Sequence, residues 1–223
     1  MERSMRNMTI RMGWVCLWAL VALAGAAQAQ EVRSREEALS ALDSESVAAR
    51  QEAIRWFALS GVAADAEALL DRLPDEVEQL RGDSEAAIWL LWSRSGDEDV
   101  DKLLQSGIRD MTQGRMGQAV ETFTRVIERR PDFAEGWNKR ATAYYMMDDL
   151  DQSLKDCDEV IKRVPRHFGA LSGYGLIYIK RGELERALEY FERALAVDPN
   201  LQGVQESIEL IRYQMRKQGK EST

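Results

Sequence analysis

The chemistry open to this chain is bounded by a short inventory: one histidine, His167, and two cysteines, Cys16 and Cys157. A structural zinc site takes four Cys or His ligands and a catalytic one usually three, so neither can be assembled. The acidic pairs Asp97/Asp99 and Asp148/Asp149 lack the oxygen-ligand spacing and sharp-turn glycine of a calcium loop; they read as turn and N-cap residues. Nucleophilic catalysis would need a serine or cysteine oriented by histidine, and no G-x-S-x-G element is present. Cys157 reads as a small buried hydrophobe and His167, after Pro165-Arg166, as a half-exposed residue at a helix start. Gly173 and Gly175 fall inside a helical pattern, not in a phosphate-binding loop. The expectation is a chain with no catalytic residue, no metal and no cofactor, working by binding.

One candidate surface is basic. Lys139, Arg140, Lys162, Arg163 and Arg166, with His167 beside them, stand out against a net charge of −8. They read either as a patch for an acidic or polyanionic partner or as a solvated face of alternating charge. The acidic balance argues against general binding to nucleic acid.

Stepping along the chain, three of its four prolines, Pro131, Pro165 and Pro199, are 34 residues apart. Set in register on them, Gly107, Ala141 and Gly175 align, as do Gly114, Asp148 and Gly182, then Ala119, Ser153 and Ala187, then Phe123, Cys157 and Phe191. Gly and Asp at the second of these positions suit a tight turn between two helices, and small residues at the first allow close helix approach. A period of about 34 with a closing proline marks a helix-turn-helix repeat.

This pattern resembles the tetratricopeptide repeat (TPR) family over about half the chain. The third unit is the cleanest match. The second departs at Arg140, Ser153 and Cys157, so it is either less tightly packed or locally specialised. The phrases GWNKRAT (Gly136–Thr142) and RHFGALSG (Arg166–Gly173) are similar to a group of exported alphaproteobacterial TPR proteins with no assigned activity. The resemblance implies an all-α, right-handed helix-turn-helix solenoid with units at 100–133, 134–167 and 168–200, a capping helix over 201–217 and a polar tail over 218–223. It also implies a concave groove lined by the first helix of each unit: Asp101, Leu104, Ile108 and Met111; Glu135, Asn138, Thr142 and Tyr145; Gly169, Ser172, Leu176 and Ile179. Chaperone-binding members clamp a terminal carboxylate there with Lys and Asn. Leu104, Ile108 and Gly169 occupy those places here, so that specificity does not carry over. A mixed apolar groove suits an extended or helical protein segment with apolar anchors.

The start of the chain reads as a targeting segment over Met1–Ala29. Arg3, Arg6 and Arg11 precede an apolar run over Gly13–Ala27, and Ala27-Gln28-Ala29 offers a cleavage site; an uncleaved anchor is the alternative. The segment carries three Arg and one Glu, so the chain without it falls from −8 to −10. Cys157 would then be the single thiol, with no disulfide partner in the chain. Residues 30–96 are Ala-, Leu- and Glu-rich with helical periodicity, weakly HEAT-like, and read as a helical stack continuous with the repeats. Ser34 with Glu37 fits a capping box, Gly61 and Pro74 read as helix ends, and Gly82 with Asp83 or Ser84 as a break before a last helix ending at Trp92.

The expected function is an exported, periplasmic protein–protein interaction module of a Gram-negative bacterium, acting as scaffold or adaptor. Two alternatives stand beside it: a self-associating component of a cell-envelope assembly, which exposed Trp56, Trp89 or Trp92 would favour, and a regulatory or catalytic subunit with its chemistry near Arg50–Arg55 and Asp83–Trp92.

Overall fold

The computed structural model describes residues 32–221, with side chains to Lys217; the targeting segment read over Met1–Ala29 lies outside the described residues. The N-terminal helices are α1 (Arg35–Leu42), α2 (Val47–Ser60), α3 (Ala66–Leu70, entered through a 3-10 turn at Ala63–Asp65) and α4 (Glu78–Trp92). Three helix pairs follow: α5 (Glu98–Thr112) with α6 (Met116–Arg129), α7 (Ala134–Met146) with α8 (Leu150–Arg163), and α9 (Phe168–Arg181) with α10 (Leu184–Val197). The last helix, α11, runs over Gln202–Glu221, past the expected end at Lys217.

Each pair is closed by the same backbone device. Gly114, Asp148 and Gly182, the aligned turn residues, have φ of 74°, 64° and 74°. Left-handed backbone favours glycine, and aspartate is among the few other residues that reach it at modest cost. The small residues are explained just as locally. A Cβ on Gly107 would lie 2.4 Å from Phe123 Cε1, and one on Gly175 would lie 2.4 Å from Phe191 Cε1, so each phenylalanine ring takes the space of its missing side chain. The middle pair solves the same problem differently, with Ala141 in the first helix and Cys157 in the second, both buried. Val204, Ile208 and Ile211 of α11 are buried and join the core of the third pair, covering its otherwise exposed face.

The N-terminal helices form a block with its own core, including Leu42, Phe57, Leu69, Leu80, Ile88 and Leu91. Ser34 Oγ accepts the Glu37 amide at 3.2 Å, while the Glu37 carboxylate accepts the Arg33 amide at 2.8 Å, one residue earlier than a capping box would place it. Gly82 does not break the chain. It sits in the middle of α4, because Leu80, Ser84, Ala87, Ile88 and Leu91 keep one buried face through it. That burial outweighs the roughly 1 kcal/mol that glycine costs inside a helix. Asp83 accepts from the Gln51 and Gln79 side chains and caps nothing, and Ser84 is buried.

A second expectation fails more instructively. The block does not continue the stack. Its buried core includes Phe168 at the start of α9 but no residue of α5 or α6, and Val164, Val197 and Leu201 pack against it. Arg166 pairs with Asp71 at 2.9 Å and with Glu67 at 3.2 Å, and Asn200 Nδ2 donates to the Leu73 carbonyl at 2.7 Å. The block is thus folded back along the edge of the repeats where the proline loops lie. Among the described residues no helix is long and apolar enough to cross a membrane.

Candidate binding groove

The first helices α5, α7 and α9 lie side by side, with α7 in contact with both of the others, and make one continuous surface. Its floor begins with a buried polar cluster at the loop end. Glu135, 1% exposed, accepts from Asn138 Nδ2 at 2.9 Å and lies 2.8 Å from Lys139 Nζ. His167 Nε2 is 3.3 Å from the same carboxylate, and its Nδ1 accepts the Ala170 amide at 3.1 Å, capping α9. Nδ1 therefore carries the lone pair and Nε2 faces the carboxylate with its proton. Burial alone would raise the Glu135 carboxyl, but hydrogen bonding to His167 and the charge of Lys139 oppose it, and the net shift is downward.

Two tryptophans of α4 roof this cluster. Trp92 stacks on His167 with ring centroids 4.0 Å apart, and Trp89 meets both His167 and Phe168 edge-on. Lys139 Nζ lies 5.4 Å from the Trp89 ring centroid. A Cβ on Gly169 would be 2.5 Å from Trp89 Cη2, so the N-terminal block occupies the groove at that end. Trp92 is buried and Trp56 and Trp89 are half-buried; none of the three is exposed.

Beyond Gly169 the groove is open. Asn138, Thr142, Tyr145, Ser172 and Leu176 border one cleft of about 140 Å³ between α7 and α9, together with Ala141, Ser153, Cys157, Gly173 and Ile177. Leu176 and Ile179 are 39% and 37% exposed, and Met146 and Met147 at the turn are 54% and 49% exposed. Lys180 Nζ sits over the Tyr145 ring and is held by Asp148 at 2.8 Å.

Several expected site residues lie elsewhere. Leu104 is fully buried with Val100, Ala119 and Phe123 in the first pair's core, so it offers nothing to a partner. Ile108 and Met111 are half-buried against that core. Asn138 is on the groove but only 7% exposed, spent on Glu135. His167 is at a helix start as expected, yet fully buried. Apart from Lys162, which is exposed, the basic patch dissolves into pairs. Lys139 is taken by Glu135, Arg166 by Glu67 and Asp71, and Arg163 by Glu159. Arg140 makes a bidentate pair with Asp156, 2.8 Å on both arms, and donates to Thr124 Oγ1 at 3.0 Å. This pair, with Ser153 Oγ donating to the Ala141 carbonyl at 2.8 Å, makes the second unit specialised and not loose. The exposed Met146 and Met147 and the cleft residues Ala141 and Cys157 were not read as site residues from the sequence. The signal for the last two was the break in the Gly/Phe alternation at the second unit.

In the N-terminal block Arg50 is buried against Asp75, Nε to Oδ2 3.0 Å, a structural ion pair. A shallow polar cleft of about 790 Å³ is lined by Glu78, Arg81, Glu85, Asn200 and Gln205 among others. Partial burial and then Asp198 raise the Glu85 carboxyl, while Arg81 donates to the Asp75 carbonyl at 3.0 Å. Among the described residues no three His, Cys, Asp or Glu side chains are grouped to hold a metal ion.

The three stacked pairs, their shared turn geometry and the capping helix define a right-handed helical-repeat solenoid. Tetratricopeptide repeat family models match residues 104–159 and 168–201. The chain is 31% identical over 141 residues to a TPR repeat-containing protein of Rhizobium etli, covering 63% of this chain and 67% of that one. It is 25% identical over 146 residues to Hsp70-Hsp90 organizing protein 1 of Glycine max, covering 63% of this chain and 26% of that protein. It therefore spans only about a quarter of that relative's length. Among solved structures, the first TPR of Spaghetti (RPAP3) bound to an HSP90 peptide has a TM-score of 0.51 at 21% identity, covering 52% of this chain and 93% of that one. The chain belongs to the tetratricopeptide repeat family.

Proposed function

We propose that this chain is an exported interaction module that holds a segment of a protein partner in the open part of its concave groove, as a scaffold or adaptor in the periplasm. The observation that carries this reading is the cleft between α7 and α9 with Leu176 exposed in its lining, together with exposed Ile179, Met146 and Met147 near the C-terminal ends of the same two helices. A surface of that kind, concave and rimmed by polar residues, is suited to a partner segment with apolar anchors. The HSP90 peptide bound by the RPAP3 domain is that protein's ligand. A charged terminus has no comparable clamp here, since Leu104 is buried and Gly169 lies under Trp89. The export part of the reading rests on the composition of Met1–Ala29.

A photo-crosslinking residue at Thr142, exposed on α7, is compared in cells with one at Arg193, exposed on α10. A discrete partner captured from Thr142 and not from Arg193 supports the groove. Capture from Arg193 alone, or of a second copy of this chain, moves the reading to a self-associating envelope component. The exposed Leu210 and Tyr213 on α11, 65% and 61% accessible, would be the first place to look for that contact.

A further inference from the structure

We propose that the Ala141–Cys157 pair creates a largely apolar, uncharged socket in the groove, and that it takes one leucine- or isoleucine-sized side chain of an extended partner segment. The inference rests on the groove reading above and names the chemistry of the ligand.

The socket arises from a double exchange inside the repeat. The first and third pairs set glycine against phenylalanine, Gly107 with Phe123 and Gly175 with Phe191, each ring filling the place of a Cβ. The second pair has Ala141 and Cys157 at those positions. Alanine returns one methyl group, and cysteine gives up an aromatic ring. The space left over lies in the cleft of about 140 Å³, where a Cβ on Gly173 would stand 3.6 Å from Cys157 Sγ. Apolar cavities of about 150 Å³ exclude water and accept a ligand the size of a benzene ring. A branched four-carbon side chain therefore fits.

Hydrogen bonding fixes the polarity. Ser153 Oγ donates to the Ala141 carbonyl at 2.8 Å, Thr142 Oγ1 to the Asn138 carbonyl at 3.0 Å, and Ser172 Oγ to the Phe168 carbonyl at 2.8 Å. Asn138 Nδ2 is committed to Glu135. The serine and threonine protons are thus directed back into the helices, and no charged side chain lines the socket, whose other polar groups are the neutral Tyr145 phenol, Asn138 amide and Cys157 thiol. A carboxylate or ammonium group entering it would lose its water without gaining a charged partner. Trp89 closes the groove at Gly169, so the segment runs from the socket toward Met146 and Met147, whose flexible side chains can adapt to flanking residues.

The test is selection of displayed random heptapeptides against the full chain, followed by fluorescence polarisation of the enriched peptides. Each is measured on the native chain, on Ala141→Gly/Cys157→Phe, which restores the glycine–phenylalanine pair, and on Cys157→Leu, which fills the socket with one change. Circular dichroism identifies whichever filled variant folds. The expected result is an aliphatic residue enriched at one position and binding about ten- to a hundredfold weaker on the filled variant, the range for losing one buried aliphatic side chain. Equal binding to native and filled chains overturns the socket and leaves the groove reading standing. Peptides unaffected by Thr142→Arg, or no enrichment at all, overturn the groove reading and the socket with it.

Discussion

The Trp89 ring stands where a side chain on Gly169 would have to be: its Cη2 lies 2.5 Å from the point a Cβ would occupy. This contact joins the N-terminal block to the third repeat and ends the groove. Gly169→Leu is expected to push Trp89 out at a cost of about 1–3 kcal/mol, the usual range for overpacking. The tryptophan emission should shift to the red and amide exchange in α4 should accelerate, with α5 and α6 unchanged. Unaltered emission would mean the block is held mainly by Phe168 and the Arg166 pairs.

Arg140 and Asp156 tie α7 to α8 with side chains only 15% and 5% exposed. Arg140→Leu leaves a buried carboxylate with no partner and is expected to cost about 3–5 kcal/mol in urea denaturation. The double variant Arg140→Leu/Asp156→Leu should recover most of the loss, because no charge is then stranded. Equal destabilisation of single and double variants would assign the effect to packing of the guanidinium on Trp137, whose ring centroid is 5.1 Å away.

Glu135 makes part of the stability acid-sensitive. Its carboxyl is lowered from the ordinary 4.5: burial works to raise it, and His167 and Lys139 outweigh burial. A carboxyl lowered by folding contributes fully above its unfolded value, and the contribution is lost as the pH falls through the folded one. Thermal stability of the native chain should therefore drop more steeply below pH 4.5 than that of Glu135→Gln. Parallel pH profiles for the two proteins would show that the carboxylate charge has no such role.

Cys157 is 2% exposed, and burial, with Asp156 and Asp158 adding to it, pushes its thiol up to about 12. Only the thiolate alkylates at a useful rate. Iodoacetamide at pH 8 should leave the folded chain unmodified and label it once it is unfolded in urea. Fast labelling under native conditions would mean that the second pair opens locally.

The repeat was legible because its constraints are local and recur. A turn that needs positive φ selects Gly114, Asp148 and Gly182 whatever lies around it, and Phe123 and Phe191 each require a glycine in the partner helix. The cap was legible from the spacing of Val204, Ile208 and Ile211 on one face. Glycine at position 82 misled, because a local preference worth roughly 1 kcal/mol was outweighed by the buried face of α4. The chain alone left two readings of the basic cluster open, because the partners of Arg166, Glu67 and Asp71, are supplied by a distant segment.

The sequence by itself determined the helical solenoid, its three-unit register, the turn positions and the capping helix, since these follow from periodic burial and backbone geometry within neighbouring segments. Only the tertiary structure decided where the groove ends, that His167 is buried and that Leu104 is core. The first two outcomes depend on the N-terminal block folding back to set Trp89 and Trp92 on His167 and Gly169, and the third on α6 packing Ala119 and Phe123 against α5. Contacts between segments so far apart leave no period in the chain, and they are selected by the free energy of burying one surface against another.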